Sequence, residues 1–281
     1  MRVGCGVGKA DRGGFWGWLL ILALIPVALQ ADDGETGSIN YLVVDSRVGP
    51  FQLIREGASD GGIISDIVDE LFHGIGMPVR HHVLPVNRLL YGVAQGQFKH
   101  WVAYDAPVWD SFPGRGEYAR QPLFQTRHIM LTCNDEVASP VRSMADLEGL
   151  SIATLRGFQY LGLDQAAEQG RIRPVPVDDF ESGLALVSLQ RVDGFVEMAS
   201  RLRFYLSGFG GDTSCMREVD VSAIIPNYSV YLSMDRQLPA ETRRRINQQL
   251  DTMARTGRLS QIWRRYVPDE LPQEINAKAG H

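Results

Sequence analysis

Cysteine is scarce in this chain of 281 residues. There are three, and one of them, Cys5, precedes the first long apolar run. The spacing of the other two, Cys133 and Cys215, is no metal signature. It leaves two readings open, one disulfide or two buried thiols. Basic charge is also short: 28 Lys and Arg stand against 33 Asp and Glu, a net charge of −5. A mildly acidic surface argues against nucleic acid as a partner, which needs a basic face. Ser-His-Asp order, HExxH, CxxC and a P-loop are all missing, so no cofactor and no metal are implied. His81 and His82 are adjacent in an apparent strand and face opposite ways, which makes them poor joint metal ligands. Low-complexity tracts and short-period repeats are lacking too.

Long hydrophobic runs are limited to one, Phe15 to Leu29, preceded by Arg2, Lys9 and Arg12 and followed by Leu29-Gln30-Ala31. Charged, apolar and small residues in that order read as a secretory signal cleaved after Ala31. The run is short of the roughly 20 residues of a bilayer span. An uncleaved anchor is the other reading.

The stretch GGIISDIVDELFHGIG, Gly61 to Gly76, carries the clearest pattern. Ile63, Ile64, Ile67, Val68, Leu71 and Phe72 recur with a helical period, with polar residues between them. That predicts an amphipathic helix with one buried face, closed by Gly74 and Gly76. The paired glycines ahead of it allow a sharp turn. Strands are expected at Tyr41–Val44, Met77–Val86 and His100–Ala106, with a short helix between the last two. The first part thus alternates β-α-β-α-β. A second such unit runs from about Arg127 through VDGFVEM. One more strand, Tyr228–Met234, and two closing helices, Ala240–Thr256 and Leu259–Tyr266, complete the chain. Alternation of this kind builds parallel sheets flanked by helices.

Five stretches in order carry a family resemblance: DSRVGPF, the Gly61 helix with its Gly-hydrophobic-x-x-Asp start, SMADLEGLSIATLRGFQY, LALVSLQRVDGFVEM, and INQQLDTMARTGRLSQIWRRYVP. From Ile39 to Pro268 the chain resembles the bacterial extracellular solute-binding proteins of family 3, the polar amino acid binders of ABC importers. The resemblance implies two α/β lobes joined by two hinge strands, with the ligand in the cleft between them. Residues 38–128 with 228–268 would form the first lobe and 129–227 the second, with hinges near Ile129–Thr132 and Ser222–Asn227. Residues 1–31 would be the signal and 269–281 a tail. It further implies a monomer in the periplasm, a small-molecule ligand, an inner-membrane ABC permease as partner, and no enzyme activity. Ligands of open α/β sheets sit beyond the carboxyl ends of the strands, where helix starts offer N–H groups.

Carried over residue by residue, the resemblance names a candidate ligand set. Asp45 ends the first strand, where the family has a cleft aspartate; the alternative is an Asx-turn. Phe51 is either a pocket wall or core. Phe158 and Gln159 follow Gly157 at a ligand-contacting loop, and Arg156 beside them either reaches the cleft or is solvated. Arg88 opens a helix below the cleft, or makes a structural ion pair. The chain also departs from the family. Neither Arg115 nor Arg120 sits where the carboxylate-binding arginine should; Arg115 is the better candidate. Met198 stands where an ammonium-binding aspartate is expected, and the adjacent Glu197 faces the other way on a strand. Trp101, Tyr104 and Trp109 suggest an aromatic cleft instead, suited to a flat or cationic ligand. Two further readings remain: a ligand-sensing partner of a membrane receptor, and a dehydratase-type enzyme with Glu197 as its acid.

Overall fold

The computed structural model describes residues 37–45 and 48–268. The expected signal (1–31) and tail (269–281) lie outside the described residues. The elements run β1 (Ile39–Val44), a hairpin of β2 (Ile54–Arg55) and β3 (Ala58–Ser59), α1 (Ile63–Gly74), β4 (Val79–Leu84), α2 (Val86–Ala94), β5 (Trp101–Asp105), β6 (Gly116–Tyr118), β7 (Phe124–Gln125) and β8 (His128–Thr132). A 3-10 turn at Met144–Leu147 follows, then β9 (Ser151–Leu155), α3 (Leu161–Glu168), β10 (Arg173–Val177), α4 (Phe180–Ser188), β11 (Gly194–Met198), α5 (Ala199–Leu206), β12 (Arg217–Asp220), β13 (Ser229–Asp235), α6 (Ala240–Arg255) and α7 (Arg258–Tyr266).

Two main sheets result. The first has the order β4-β1-β5-β13-β6, with β7 also on β13; the second has β10-β9-β11-β8-β12. In each, three strands of the expected unit pair in parallel, β4-β1-β5 and β10-β9-β11, but β8, expected from about Arg127 to open the second parallel unit, lies antiparallel to β11 because the chain enters the second sheet there from the first. Each parallel core is then extended by antiparallel strands, β13 with β6 and β7 in the first sheet and β8 with β12 in the second. The short β6, β7 and β12 carry too little alternation to be expected from sequence. Pro174 and Pro176 are tolerated in β10 because it is an edge strand and lacks a second neighbour to serve with N–H groups.

Both faces of both sheets are covered. In β1, Ile39, Tyr41 and Val43 enter one core and Leu42 the other, the period-2 alternation of a strand. The six apolar residues that predicted α1 are all buried, at 0–1% exposure. They pack on the first sheet and on Ile246, Leu250, Leu259, Ile262 and Trp263 of α6 and α7.

The need for paired glycines is steric. Gly62 has φ 106°, and a Cβ there would lie 2.6 Å from the Phe51 carbonyl oxygen. The expected open helix start is not found. Ile63 and Ile64 N–H groups donate to Pro50 and Phe51 carbonyls (2.8 and 2.9 Å), and Gly62 N–H donates to the Tyr266 hydroxyl (2.9 Å). Tyr266 donates onward to Asp66 (2.9 Å), which also takes Arg265. The Gly-hydrophobic-x-x-Asp motif therefore fastens α1 to α7. Similarly Asp146 accepts from the N–H groups of Arg142 and Ser143 (2.8 and 3.0 Å). Asp193 accepts from Ser151 N–H and Oγ (both 2.7 Å) and from Asn134 (2.9 Å).

The chain crosses from the first sheet to the second between β7 and β8, and returns between β12 and β13. The crossings are bonded to each other. Thr126 N–H and Oγ donate to the Tyr228 carbonyl (2.8 and 3.1 Å), and Tyr228 N–H donates to Thr126 Oγ (3.1 Å). Cys133 and Cys215 form a disulfide, with Cα atoms 5.0 Å apart across 82 positions of sequence. It ties the end of β8 to the segment before β12. Among the described residues no helix is long and apolar enough to cross a membrane.

Candidate functional site

The carboxyl ends of the parallel strands in both sheets point to one place, where a group of polar and aromatic side chains converges. The second lobe supplies Glu197 from the end of β11, Arg201 from the first turn of α5, and Tyr160 just before α3. Glu197 and Arg201 are ion-paired at 3.1 Å, their side chains 2% and 3% exposed. Their i, i+4 spacing joins them across the strand-to-helix junction. The Tyr160 hydroxyl donates to the same Glu197 oxygen (2.8 Å) and accepts from Leu155 N–H (3.2 Å). The other Glu197 oxygen accepts from Met198 N–H (2.7 Å). Three donors thus hold one buried carboxylate, which offsets much of the cost of burying it. The Arg201 guanidinium carbon lies 4.7 Å from the Phe158 ring centroid and 4.9 Å from that of Phe180, a cation–π arrangement. Phe180 stacks in turn on Tyr205 at 3.9 Å.

The first lobe contributes Tyr104 from β5 and Trp109 from the loop after it, edge to face with centroids 6.1 Å apart. Trp109 meets Tyr228 at 5.7 Å, and Tyr228 meets His128 at 5.8 Å. Burial pushes the Tyr104 and Tyr228 hydroxyls up to about 12. The charges of Arg201 and Glu197 act on both in opposite directions, so the charged pair of one lobe lies within reach of the phenols of the other. Elsewhere the lobes also touch. A Cβ on Gly49 would lie 3.0 Å from both Phe204 and Tyr205 of α5.

The candidate residues named from sequence fall in different places. Tyr104, Trp109, Phe158 and Glu197 belong to the converging group. Met198 abuts it, but its side chain packs into the core of the first lobe. Asp45 is exposed at the end of β1, and Gln159 is exposed beside Phe158. Phe51 sits in the first core, stacked on Phe124 at 4.8 Å. Trp101 is core as well, against Phe112 at the start of β5. Arg88 is exposed on the first turn of α2. Arg156 pairs with Asp178 at 2.7 Å on the surface.

Arg115 is not brought to the group. It precedes β6, whose Gly116 pairs with Asp235, at the end of the sheet opposite Tyr231 and Asp105. Its guanidinium donates to the Ala94 carbonyl (2.9 Å) at the carboxyl end of α2, a place that favours a cation.

Sequence reading missed Tyr160, His128 and Tyr228. Only the Glu197–Arg201 spacing carried a signal, since the others come from distant segments. His81 and His82 have separate partners, Asp69 and Asn40, each at 2.8 Å. Among the described residues no cluster of His, Cys, Asp and Glu could hold a metal ion. A separate pocket of about 430 Å³ lies on the second lobe, between α4 and the glycine-rich exit of α5, with Glu181, Phe204, Tyr205 and Phe209 in its walls.

No protein-family model matches the chain, and no curated protein matches it. Solved structures do match. An ancestral cationic amino acid solute-binding protein superposes with a TM-score of 0.63 at 15% identity, over 82% of this chain and 95% of that one. The unliganded open L-cystine solute receptor of Neisseria gonorrhoeae gives 0.62 at 15%, over 85% and 95%. The periplasmic VFT2 domain of Bordetella pertussis BvgS gives 0.60 at 17%, over 82% and 93%. Likeness at this identity speaks to architecture, since one fold hosts many functions. The chain therefore has the two-lobed α/β fold of the periplasmic solute-binding proteins.

Proposed function

We propose that this protein is an exported solute binder, a divergent relative of the family 3 proteins, which takes a small polar solute into the cleft and passes it to an inner-membrane ABC permease. The observation that carries this reading is the converging group. Two lobes with no sheet in common each contribute aromatic and charged side chains to one place beside the hydrogen-bonded crossings. Hinge closure over a ligand needs that layout. The proposed contacts are Tyr104, Trp109 and Tyr228 on one side and Phe158, Gln159 and Arg201 on the other, with Asp45 at the rim. Thr126 and Tyr228 are the proposed hinge. Aromatic walls with few unsatisfied charges favour a planar or amphipathic solute over a plain zwitterion. The disulfide supports export, because such bonds persist in oxidising compartments.

Glu197 is poorly suited to acid catalysis. Its carboxylate is already held by Tyr160, Arg201 and the Met198 N–H. One observation favours a second reading, sensing in place of transport. The BvgS periplasmic VFT2 domain, with the same fold, superposes on this chain as well as the substrate-binding protein of an amino acid ABC transporter does. The test is thermal unfolding against amino acids, amines, aromatic acids and sugars, repeated with Trp109→Ala. A ligand at about 100 times its Kd adds about 2.7 kcal/mol. A hit that Trp109→Ala abolishes, recovered chemically unchanged, supports binding in this cleft. A hit consumed during the assay overturns the reading in favour of an enzyme, and a hit indifferent to Trp109→Ala places the ligand elsewhere.

A further inference from the structure

The cavity of about 430 Å³ on the second lobe has all its walls in that lobe. Its size is that of a small-molecule pocket. Glu181 and the buried Leu184 line it from the first half of α4. Phe204 and Tyr205 line it from α5, and Phe209 from the exit that follows. The Phe204 and Tyr205 rings stand edge to face, 5.2 Å apart at 84°, and so form a corner. Phe180 stacked on Tyr205, and Gly49 of the first lobe against both rings, hold that corner in place.

The exit of α5 is fastened beyond the cavity. Ser188 Oγ, at the end of α4, donates to the Asp212 carbonyl (2.7 Å), and Cys215 is bonded to Cys133. Gly210 lines the cavity, yet its φ is not positive and a Cβ there would meet nothing within 4 Å. Neither backbone conformation nor packing calls for glycine at that position. What a side chain at 210 would do is fill the cavity.

The electrostatics select a sign. Glu181 is exposed and makes no ion pair or side-chain hydrogen bond among the described residues. Its place in the first turn of α4 favours the ionised carboxylate. Asp212 adds a second negative charge to the exit loop, its pKa held low by bonds from Ser214. The arginines of α5 are engaged with other acids, Arg201 with Glu197 and Arg203 with Glu218 through bonds of 2.7 and 2.6 Å. A carboxylate beside aromatic rings suits a cation with apolar surface.

We propose that this cavity is a second binding site, separate from the cleft, for a small organic cation: an amine or quaternary ammonium that carries an apolar group. The apolar group sits in the corner of Phe204, Tyr205 and Phe209, and the ammonium faces Glu181. The site is independent of the solute-binding reading, since it draws on no residue proposed to touch solute in the cleft.

The probe is benzyltrimethylammonium, with benzyl alcohol as its uncharged counterpart, titrated into the purified protein by calorimetry. The wild type should give saturable binding of the cation and none of the alcohol. Glu181→Gln should bind about fivefold more weakly, the effect of losing one exposed ion pair. Gly210→Leu should abolish binding by filling the cavity. Both positions are exposed, and both variants are checked to melt as the wild type does. Trp109→Ala, in the cleft, should leave cation binding unchanged. No saturable binding in the wild type, equal binding of benzyl alcohol, or full affinity in Gly210→Leu overturns the proposal. Loss of cation binding in Trp109→Ala overturns it too, by placing the cation in the cleft, where the ligand panel tests the solute-binding reading separately.

Discussion

Glu197→Gln tests the buried ion pair at the centre of the cleft group. The substitution keeps the shape and removes the charge. Arg201 then stays buried, its side chain 3% exposed, without the carboxylate 3.1 Å away. Breaking a buried pair from one side costs about 3–5 kcal/mol. Three hydrogen bonds to a charged acceptor weaken at the same time, so the upper part of that range is expected. Against a total stability of about 5–15 kcal/mol this is a large fraction. For a chain of this size it corresponds to a fall in Tm on the order of 10 °C. Urea unfolding followed by tryptophan fluorescence and far-UV circular dichroism would measure it. The double variant Glu197→Gln/Arg201→Met removes both charges and should recover much of the loss, with a coupling energy of at least about 2 kcal/mol. A single-variant cost below about 1 kcal/mol, or a double variant as unstable as the two singles added, would refute the claim that these charges depend on each other.

Replacing Cys133 and Cys215 together by serine should lower stability by about 4–5 kcal/mol in the chain-entropy account for a bridge spanning 82 positions; urea midpoints with and without reductant measure this, and a wild type indifferent to reductant contradicts it. Gly62→Ala should cost more than about 2 kcal/mol, because φ is 106° and the new Cβ meets the Phe51 carbonyl at 2.6 Å. Gly76→Ala, at φ +65° in open space, should cost only about 1–2 kcal/mol in the same melts, and equal costs would discount the steric argument. For Asp193, burial alone would raise the pKa, but hydrogen bonds from Ser151 and Asn134 and the charge of Arg173 outweigh it and hold it low. Its contribution is present above its unfolded value of about 3.9 and lost as pH falls through the lower folded value. Asp193→Asn should therefore flatten the acid limb of stability against pH, and an unchanged limb would assign acid unfolding to other carboxylates.

What the sequence determined by itself was the architecture, because periodicity is local. The stripe from Ile63 to Phe72 could bury only one face, and alternating strands and helices called for a parallel core with helices on it, though not for the antiparallel pairings that extend both sheets. The motif aspartates Asp66, Asp146 and Asp193 were legible for a related reason. Each fastens the ends of elements close to it or packed on it, so the pattern that marks the fold is itself made of fasteners. Tertiary structure alone decided which chemistry meets in the cleft. Tyr104, His128, Tyr160, Glu197 and Tyr228 come from five separate segments of the chain and share a place only because two sheets direct their strand ends to the same junction. It also sent Arg115 to the far end of the first sheet and Trp101 into its core, and it joined Cys133 to Cys215. Spacing along the chain says which face of an element a residue occupies. It does not say which distant face will be opposite, because that depends on loop paths and strand order rather than on local pattern.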